Sequence, residues 1–130
     1  MATIFSKIIK GEIPSYKIAE NDQFYAFLDI NPLAKGHTLV VPKHETDYIF
    51  DVDDGSLGEM MIFAKHVAKA IEKAVPCKRI GIAVIGLEVP HAHIHLIPIN
   101  HVDDINFARP KLKLSADEFT RIADSIRKKY

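Results

Sequence analysis

The sequence predicts an α+β fold, and three observations carry that expectation. Five short stretches are rich in β-branched and aromatic residues and are bounded by turn formers. Two further stretches carry apolar residues at spacings of three and four, as amphipathic helices do. Several strand connections are short, which favours antiparallel pairing. The chain has 130 residues with 48% hydrophobic content, the usual size of one compact unit with its own core, so residues 1–130 are expected to form a single domain. No repeat, low-complexity segment or Gly/Ser-rich linker divides it.

The elements follow in order. "YKIAE" (16–20) and "FYAFLD" (24–29) are strands joined through the turn-forming "END", and "HTLVVP" (37–42) is a third strand after the turn "NPLAKG". A long central helix follows "DVDDGSLGE", with Leu57, Met60, Met61, Ala64, Val67, Ala68, Ile71 and Val75 as its apolar stripe. Ser56 and Glu59 read as its capping box. Pro76 ends it, because proline breaks the hydrogen-bond ladder and disfavours helical geometry in the residue before it. "IGIAVI" (80–85) and "AHIHLIPI" (92–99) are the remaining strands. A C-terminal helix starts after Ser115, with Glu118 completing a capping box and Phe119, Ile122, Ala123 and Ile126 facing inward.

Composition excludes several function classes. Lys+Arg and Asp+Glu are equal at 17 each, so no broad basic face for a phosphate backbone is indicated and a nucleic-acid polymer is not an expected partner. The single Cys77 cannot form an internal disulfide, and "MATIFSKIIKG" lacks the features of a secretory signal; a reducing, cytoplasmic setting is expected. No run approaches the roughly eighteen apolar residues of a membrane span, so no membrane partner is expected.

The chemistry concentrates in "VPHAHIHLIP" (89–98), where His91, His93 and His95 occupy every second position. On a strand these three rings share one face, and Ala92, Ile94 and Leu96 face the core. Three readings follow from the pattern: surface histidines without a role; a zinc site completed by His37, His44 or an acid; or nucleophilic catalysis by one imidazole with its neighbours holding tautomer and charge. The row by itself does not choose among them.

Other segments do. "HAHIHLI" (91–97), "IFSKIIKGEIPSYKI" (4–18) and "FLDINPLAKGHTLVVPK" (27–43), at these separations, resemble the histidine triad (HIT) family of nucleotide hydrolases and transferases over at least residues 3–98. The resemblance implies a HIT-like fold, with an antiparallel sheet of about five strands, one long central helix and a C-terminal helix. It implies His93 as the nucleophile, His95 as donor to the phosphate and leaving atom, His91 as organiser of the ring array, and His37 as a fourth supporting histidine. It implies a purine slot at Phe5, Ile8, Ile13, Phe27 and Ile30, with Asp29 accepting the ribose hydroxyls. From the residues alone the apolar group reads first as core packing, and Asp29 equally as a turn residue before Asn31-Pro32. The expected activity is hydrolysis or nucleotidyl transfer at the α-phosphate of purine nucleoside phosphoramidates or related conjugates, through a covalent histidine intermediate and without metal or other cofactor. The alternatives are a nucleotide sensor with little turnover and a zinc-dependent hydrolase. Relatives usually pair through the long helix and a strand edge, so a homodimer is expected, with "GIAVIG" as an edge needing protection.

The chain departs from the family pattern just before the triad, where Leu87 and Glu88 replace polar phosphate-holding residues. If strand parity extends back from 95 to 87, Leu87 borders the phosphate and the site lacks a polar donor there. His66 and His101 read as solvated or packing residues and His44 as one place out of register with a further family histidine. The acids of "DVDDGSLGE" lack calcium-loop spacing, and "RIGIAVIG" lacks the Lys-Ser or Lys-Thr of a phosphate loop.

Overall fold

A computed structural model describes residues 2–130. A short helix α1 (Ile4–Ile9) precedes strands β1 (Lys17–Glu20), β2 (Phe24–Leu28) and β3 (Thr38–Pro42). Helix α2 (Asp54–Ala74), strands β4 (Arg79–Ala83) and β5 (Ile94–Ile99), and helix α3 (Ala116–Lys129) complete the order. All pairings are antiparallel, in the sheet order β1-β2-β3-β5-β4. The fold is α+β, and among the described residues no helix is long and apolar enough to cross a membrane.

Strand alternation sorts the sheet into two faces with different tasks. Ala26, Leu28, Val40, Ile94 and Leu96 point to the side covered by α2 and α3, where they join Met60, Phe63, Ala64, Val67, Ile71, Phe119, Ala123 and Ile126 in the main core. Tyr25, Phe27, Leu39 and Val41 point the other way and form a smaller cluster with Phe5 and Ile8 of α1. Leu39 stands opposite His95 in the β3–β5 register, so His95 emerges on this second face. One side of the sheet therefore supplies most of the buried apolar area, and the other carries the histidines.

Helix α3 begins as the sequence predicts, with Ser115 accepting from Glu118 N and Glu118 reaching back to Ser115 N. For α2 the capping box at Ser56 and Glu59 is corrected: Asp53 is the N-cap, accepting from Ser56 N at 2.9 Å, and the helix starts at Asp54. A carboxylate one turn upstream competes for the same orphan N–H groups and favours the positive end of the helix. The stripe is corrected at one position too, since Met61 is exposed and Phe63 is buried against Phe24. Val75 is already extended, consistent with Pro76 after it. The last strand is shorter than expected: β5 begins at Ile94, so residues 84–93 are not strand and the parity argument does not reach Leu87.

Gly36 sits at the entry to β3 with φ 95°, a backbone region that only glycine occupies cheaply. A Cβ there would lie 3.0 Å from Val75 Cγ2 and 3.3 Å from Pro98 Cγ, so the turn before His37 packs directly on the end of α2 and on β5. Gly36→Ala is expected to lower stability by about 1 to 3 kcal/mol, combining backbone strain with crowding. Urea unfolding monitored by circular dichroism checks this; a variant with an unshifted midpoint would mean the turn rearranges freely.

Candidate active site

Two loops and one strand bring four imidazoles together on the α1 face. His37 comes from the turn before β3, His91 and His93 from the segment before β5, and His95 from β5 itself. The His37 and His95 ring centroids are 5.2 Å apart, and those of His93 and His95 are 4.9 Å apart. All four are buried.

The hydrogen-bond partners assign every ring's tautomer. His37 Nδ1 accepts from Leu33 N–H at 3.0 Å, which leaves the His37 proton on Nε2, where it is donated to His95 Nδ1 at 3.0 Å. His95 then carries its own proton on Nε2. His93 Nδ1–H donates to the His91 carbonyl at 2.8 Å, leaving its Nε2 as a lone pair. His91 Nε2–H donates to the Pro42 carbonyl at 2.7 Å, and its Nδ1 accepts from the Thr3 hydroxyl at 2.7 Å. Of the four rings, only His93 Nε2 is a lone pair with no protein partner among the described residues.

Burial favours the uncharged form of His37, His95 and His91. His37 is pushed down to about 3, first by loss of water and then by the neighbouring His95. His95 is lowered to about 4 by burial and by His93, and burial also lowers His91. The approach of His37 Nε2 to Asp29 Oδ2 at 3.5 Å is thus a contact of a neutral ring and not an ion pair. Burial raises the Asp29 carboxyl. Its Oδ1 accepts from Asn31 N at 2.8 Å, so Asp29 does hold the turn after β2 while its other oxygen faces the histidines.

The remaining predicted residues divide into two groups. Phe5, Ile8 and Phe27 are buried together, with Ile13 and Val89 packed against them. Phe5 meets His93 edge-on at 5.0 Å and Phe27 at 5.6 Å, so this cluster reaches the array. Ile30 is 63% exposed and stands outside the cluster. Leu87 is 89% exposed, the consequence of a bend where a strand was expected, and Glu88 is exposed beside it. Glu88 is near enough to Asp29 for its charge to raise that carboxyl, while Lys111 acts in the opposite direction. His44 and His66 are exposed, and His101 caps a short 3-10 turn at Val102–Ile105.

Three contributors escaped the sequence reading. Phe107 packs edge-on against His95 at 4.8 Å and against His37 at 6.2 Å, covering the pair from the loop after β5. Thr3, the N-cap of α1, is the donor to His91. Glu45 binds Thr3 and Ser6. These are loop residues whose partners lie far away in sequence, and only the single capping position of Thr3 has a local signal.

Asp29, His37 and His95 each present one potential ligand atom, all within 4.8 Å of one another. The donor set fits a metal poorly. Ligation by His37 Nε2 needs its proton on Nδ1, and Nδ1 already faces the Leu33 N–H donor. A ligating ring needs an acceptor behind it, and this one has a donor.

Comparison with known proteins gives a consistent result. A family model described as "HIT domain" matches residues 10–102. The chain is 37% identical over 131 residues to an uncharacterized HIT-like protein of Borreliella burgdorferi, covering 95% of this chain and 94% of that protein. It is 35% identical over 132 residues to an adenosine 5'-monophosphoramidase of Schizosaccharomyces pombe, covering 99% and 98% respectively. A crystal structure of a HIT-like protein from Bartonella henselae superposes with TM-score 0.85 at 31% identity, covering 98% of this chain and 96% of that one. With its four-imidazole array, its sheet order and these matches, the chain belongs to the histidine triad (HIT) family.

Proposed function

We propose that the protein hydrolyses the bond between the α-phosphate of a purine nucleoside monophosphate and a leaving group, amines foremost, through a nucleotidyl adduct on His93. The observation that carries this reading is the single unengaged lone pair of the array, at His93 Nε2. A neutral imidazole with its other nitrogen tied to a carbonyl is a competent nucleophile at neutral pH. His93 Nε2 attacks phosphorus and forms an N–P bond as the bond to the leaving amine breaks. His95 Nε2–H donates a hydrogen bond to the departing nitrogen, which takes a proton from a water molecule and leaves as the amine. The hydroxide so formed attacks the adduct, breaks the N–P bond, releases the nucleoside monophosphate and frees His93. His37 supports His95 in the donor tautomer throughout, and His91 holds the carbonyl that fixes His93.

The cluster of Phe5, Ile8, Ile13 and Phe27 suits a purine face, and Asp29 has a carboxylate oxygen for the ribose hydroxyls. The amine leaving group is supported by the named activity of the fission-yeast relative, an adenosine 5'-monophosphoramidase. The metal-free character is supported by the direction of the Leu33–His37 hydrogen bond. In this reading Leu87 and Glu88 do not hold the phosphate, since both turn to solvent.

His93→Ala is expected to abolish turnover of an adenosine phosphoramidate and to leave AMP affinity within about tenfold, because a nucleophile acts chiefly in the transition state. A quenched reaction of the wild-type protein should yield a phosphoramidate-linked nucleotide on His93 by mass spectrometry. Substantial turnover in the variant would exclude His93 as the nucleophile, and a wild-type protein that binds AMP and never turns over would favour the sensor reading instead.

The neutral pair also fixes a pH dependence. The unfolded chain protonates both rings as pH falls through the ordinary histidine value of about 6.5. The folded chain resists until His95 near 4 and His37 near 3. The unfolded state thus binds more protons over this interval, so stability is full above about pH 7 and falls steadily as pH drops towards 4. Urea midpoints at about pH 7.5, 6 and 5 should decrease in that order, and His37→Asn should flatten the series.

We further propose a homodimer through β4 and α2. Strand β4 is a sheet edge, and Ile82, Met61 and Ile62 lie exposed around an apolar groove between that strand and the helix. An open apolar edge is an association site unless covered, and a second copy covers it by extending the sheet. Light scattering at micromolar concentration is expected to give twice the chain mass, and Ile82→Asp to give the monomer.

A further inference from the structure

The exposed carboxylate of Glu45 ties together three parts of the chain that meet at His93. Its Oε1 accepts from Thr3 N at 2.8 Å and from the Ser6 hydroxyl at 2.5 Å. Thr3 Oγ1 accepts from Ser6 N at 3.0 Å and is the donor to His91 Nδ1 at 2.7 Å. The opposite nitrogen of His91 is committed to the Pro42 carbonyl, so Nδ1 is a buried acceptor served by this hydroxyl. His91 in turn offers its carbonyl to His93 Nδ1–H, and the next residue, Ala92, donates its N–H to the Thr46 carbonyl at 2.6 Å. Phe5, between the two residues that Glu45 binds, packs edge-on against both His91 at 5.7 Å and His93 at 5.0 Å.

We infer that Glu45 is a positioning residue for the nucleophile: through Thr3 and His91 it fixes the orientation and proton placement of His93, and through Ser6 and Phe5 it holds the wall of the pocket against that ring. The inference rests on the reading of His93 as nucleophile. Its physical content is a competition for protons. The Thr3 hydroxyl has one proton and two acceptors in reach, His91 Nδ1 at 2.7 Å and Ser6 Oγ at 3.3 Å. By accepting from both Thr3 N–H and Ser6 O–H, the carboxylate sets the place of Thr3, and at that place the hydroxyl proton goes to His91 Nδ1, the nearer of the two acceptors. A helix of six residues has little stability of its own, so this attachment matters more than it would on a longer element. Glu45 acts through other groups and touches no reacting atom.

The test compares wild type with Glu45→Ala, Glu45→Gln, Thr3→Val and the Glu45→Ala/Thr3→Val double variant. Single-turnover adduct formation with an adenosine phosphoramidate, AMP affinity, and the nitrogen NMR signals of the His91 and His93 rings are measured on each. Glu45→Ala should slow adduct formation by about tenfold with AMP affinity within about threefold, the split expected of an aligned group felt in the transition state. Glu45→Gln, whose amide oxygen can accept the same two bonds, should stay within about threefold of wild type. The double variant should be no slower than Thr3→Val, because both changes break one chain of contacts. An adduct rate in Glu45→Ala within about twofold of wild type overturns the inference, as does equal loss of rate and affinity. Should the wild-type protein form no adduct, the proposed function fails, and the NMR signals decide this inference alone. A mixture of His93 tautomers in Glu45→Ala sustains the positioning, and ring signals identical to wild type reject it.

Discussion

One backbone donor, Leu33 N–H, aimed at His37 Nδ1, sets the proton placement of the His37–His95 pair. Burial forbids His37 a charge, so its one proton goes to the far nitrogen, and the lone pair of His95 must receive it. That leaves the His95 proton facing outward. Had the turn between β2 and β3 presented a carbonyl to His37, the tautomers of both His37 and His95 would reverse. The turn is held in its present form by three independent features: the Asp29–Asn31 bond, the positive φ of Gly36, and the bond from Leu112 N to the Pro32 carbonyl. Among the described residues no buried side-chain nitrogen or oxygen lacks a partner, so the array is closed apart from its working end.

The division of the sheet into two faces explains how so many polar rings can be buried at acceptable cost. Helices α2 and α3 cover one side and supply a large apolar core, which carries the stability. The opposite side has only α1 and a smaller cluster, and it receives the imidazoles. His95 and Leu96 are adjacent in the chain yet belong to different environments, because alternation sends one to each face. His95 thus sits on a strand that the larger core also holds, and Phe107 closes over it from a loop.

Much of this was legible in the sequence wherever the determining signal is local. All five strands, the Ser115 capping box and the end of α2 before Pro76 follow from periodicity and turn chemistry within a few residues. The start of α2 was misread because two good caps stand three residues apart and the upstream carboxylate won. Helix α1 is too short to show a helical period, and it exists because Thr3 caps it and Glu45 binds it across the fold. The extrapolation to Leu87 failed because a strand pattern was carried through Pro90, where the chain bends. Of the site, the four histidines and the Phe5, Ile8 and Phe27 cluster come together in space, while Phe107, Thr3 and Glu45 depend on contacts of long sequence separation that no window of sequence contains.

The alternating histidines are equally suited, as a pattern, to metal binding and to nucleophilic attack, and the residues behind the rings decide between them. A ring whose proton rests on a carbonyl offers its other nitrogen as a lone pair, which serves either purpose; His93 alone is therefore ambiguous. A zinc site needs three such lone pairs converging on one point. Here the lone pairs of His37, His95 and His91 are already occupied by the donors of Leu33, His37 and Thr3, and the pattern yields only one free nitrogen. The array presents one free lone pair, on His93, beside one outward N–H, on His95, which is the arrangement the proposed transfer to His93 calls for. Its proton placement depends on the groups behind the rings, Leu33 N–H and Thr3 O–H among them, as much as on the histidines themselves.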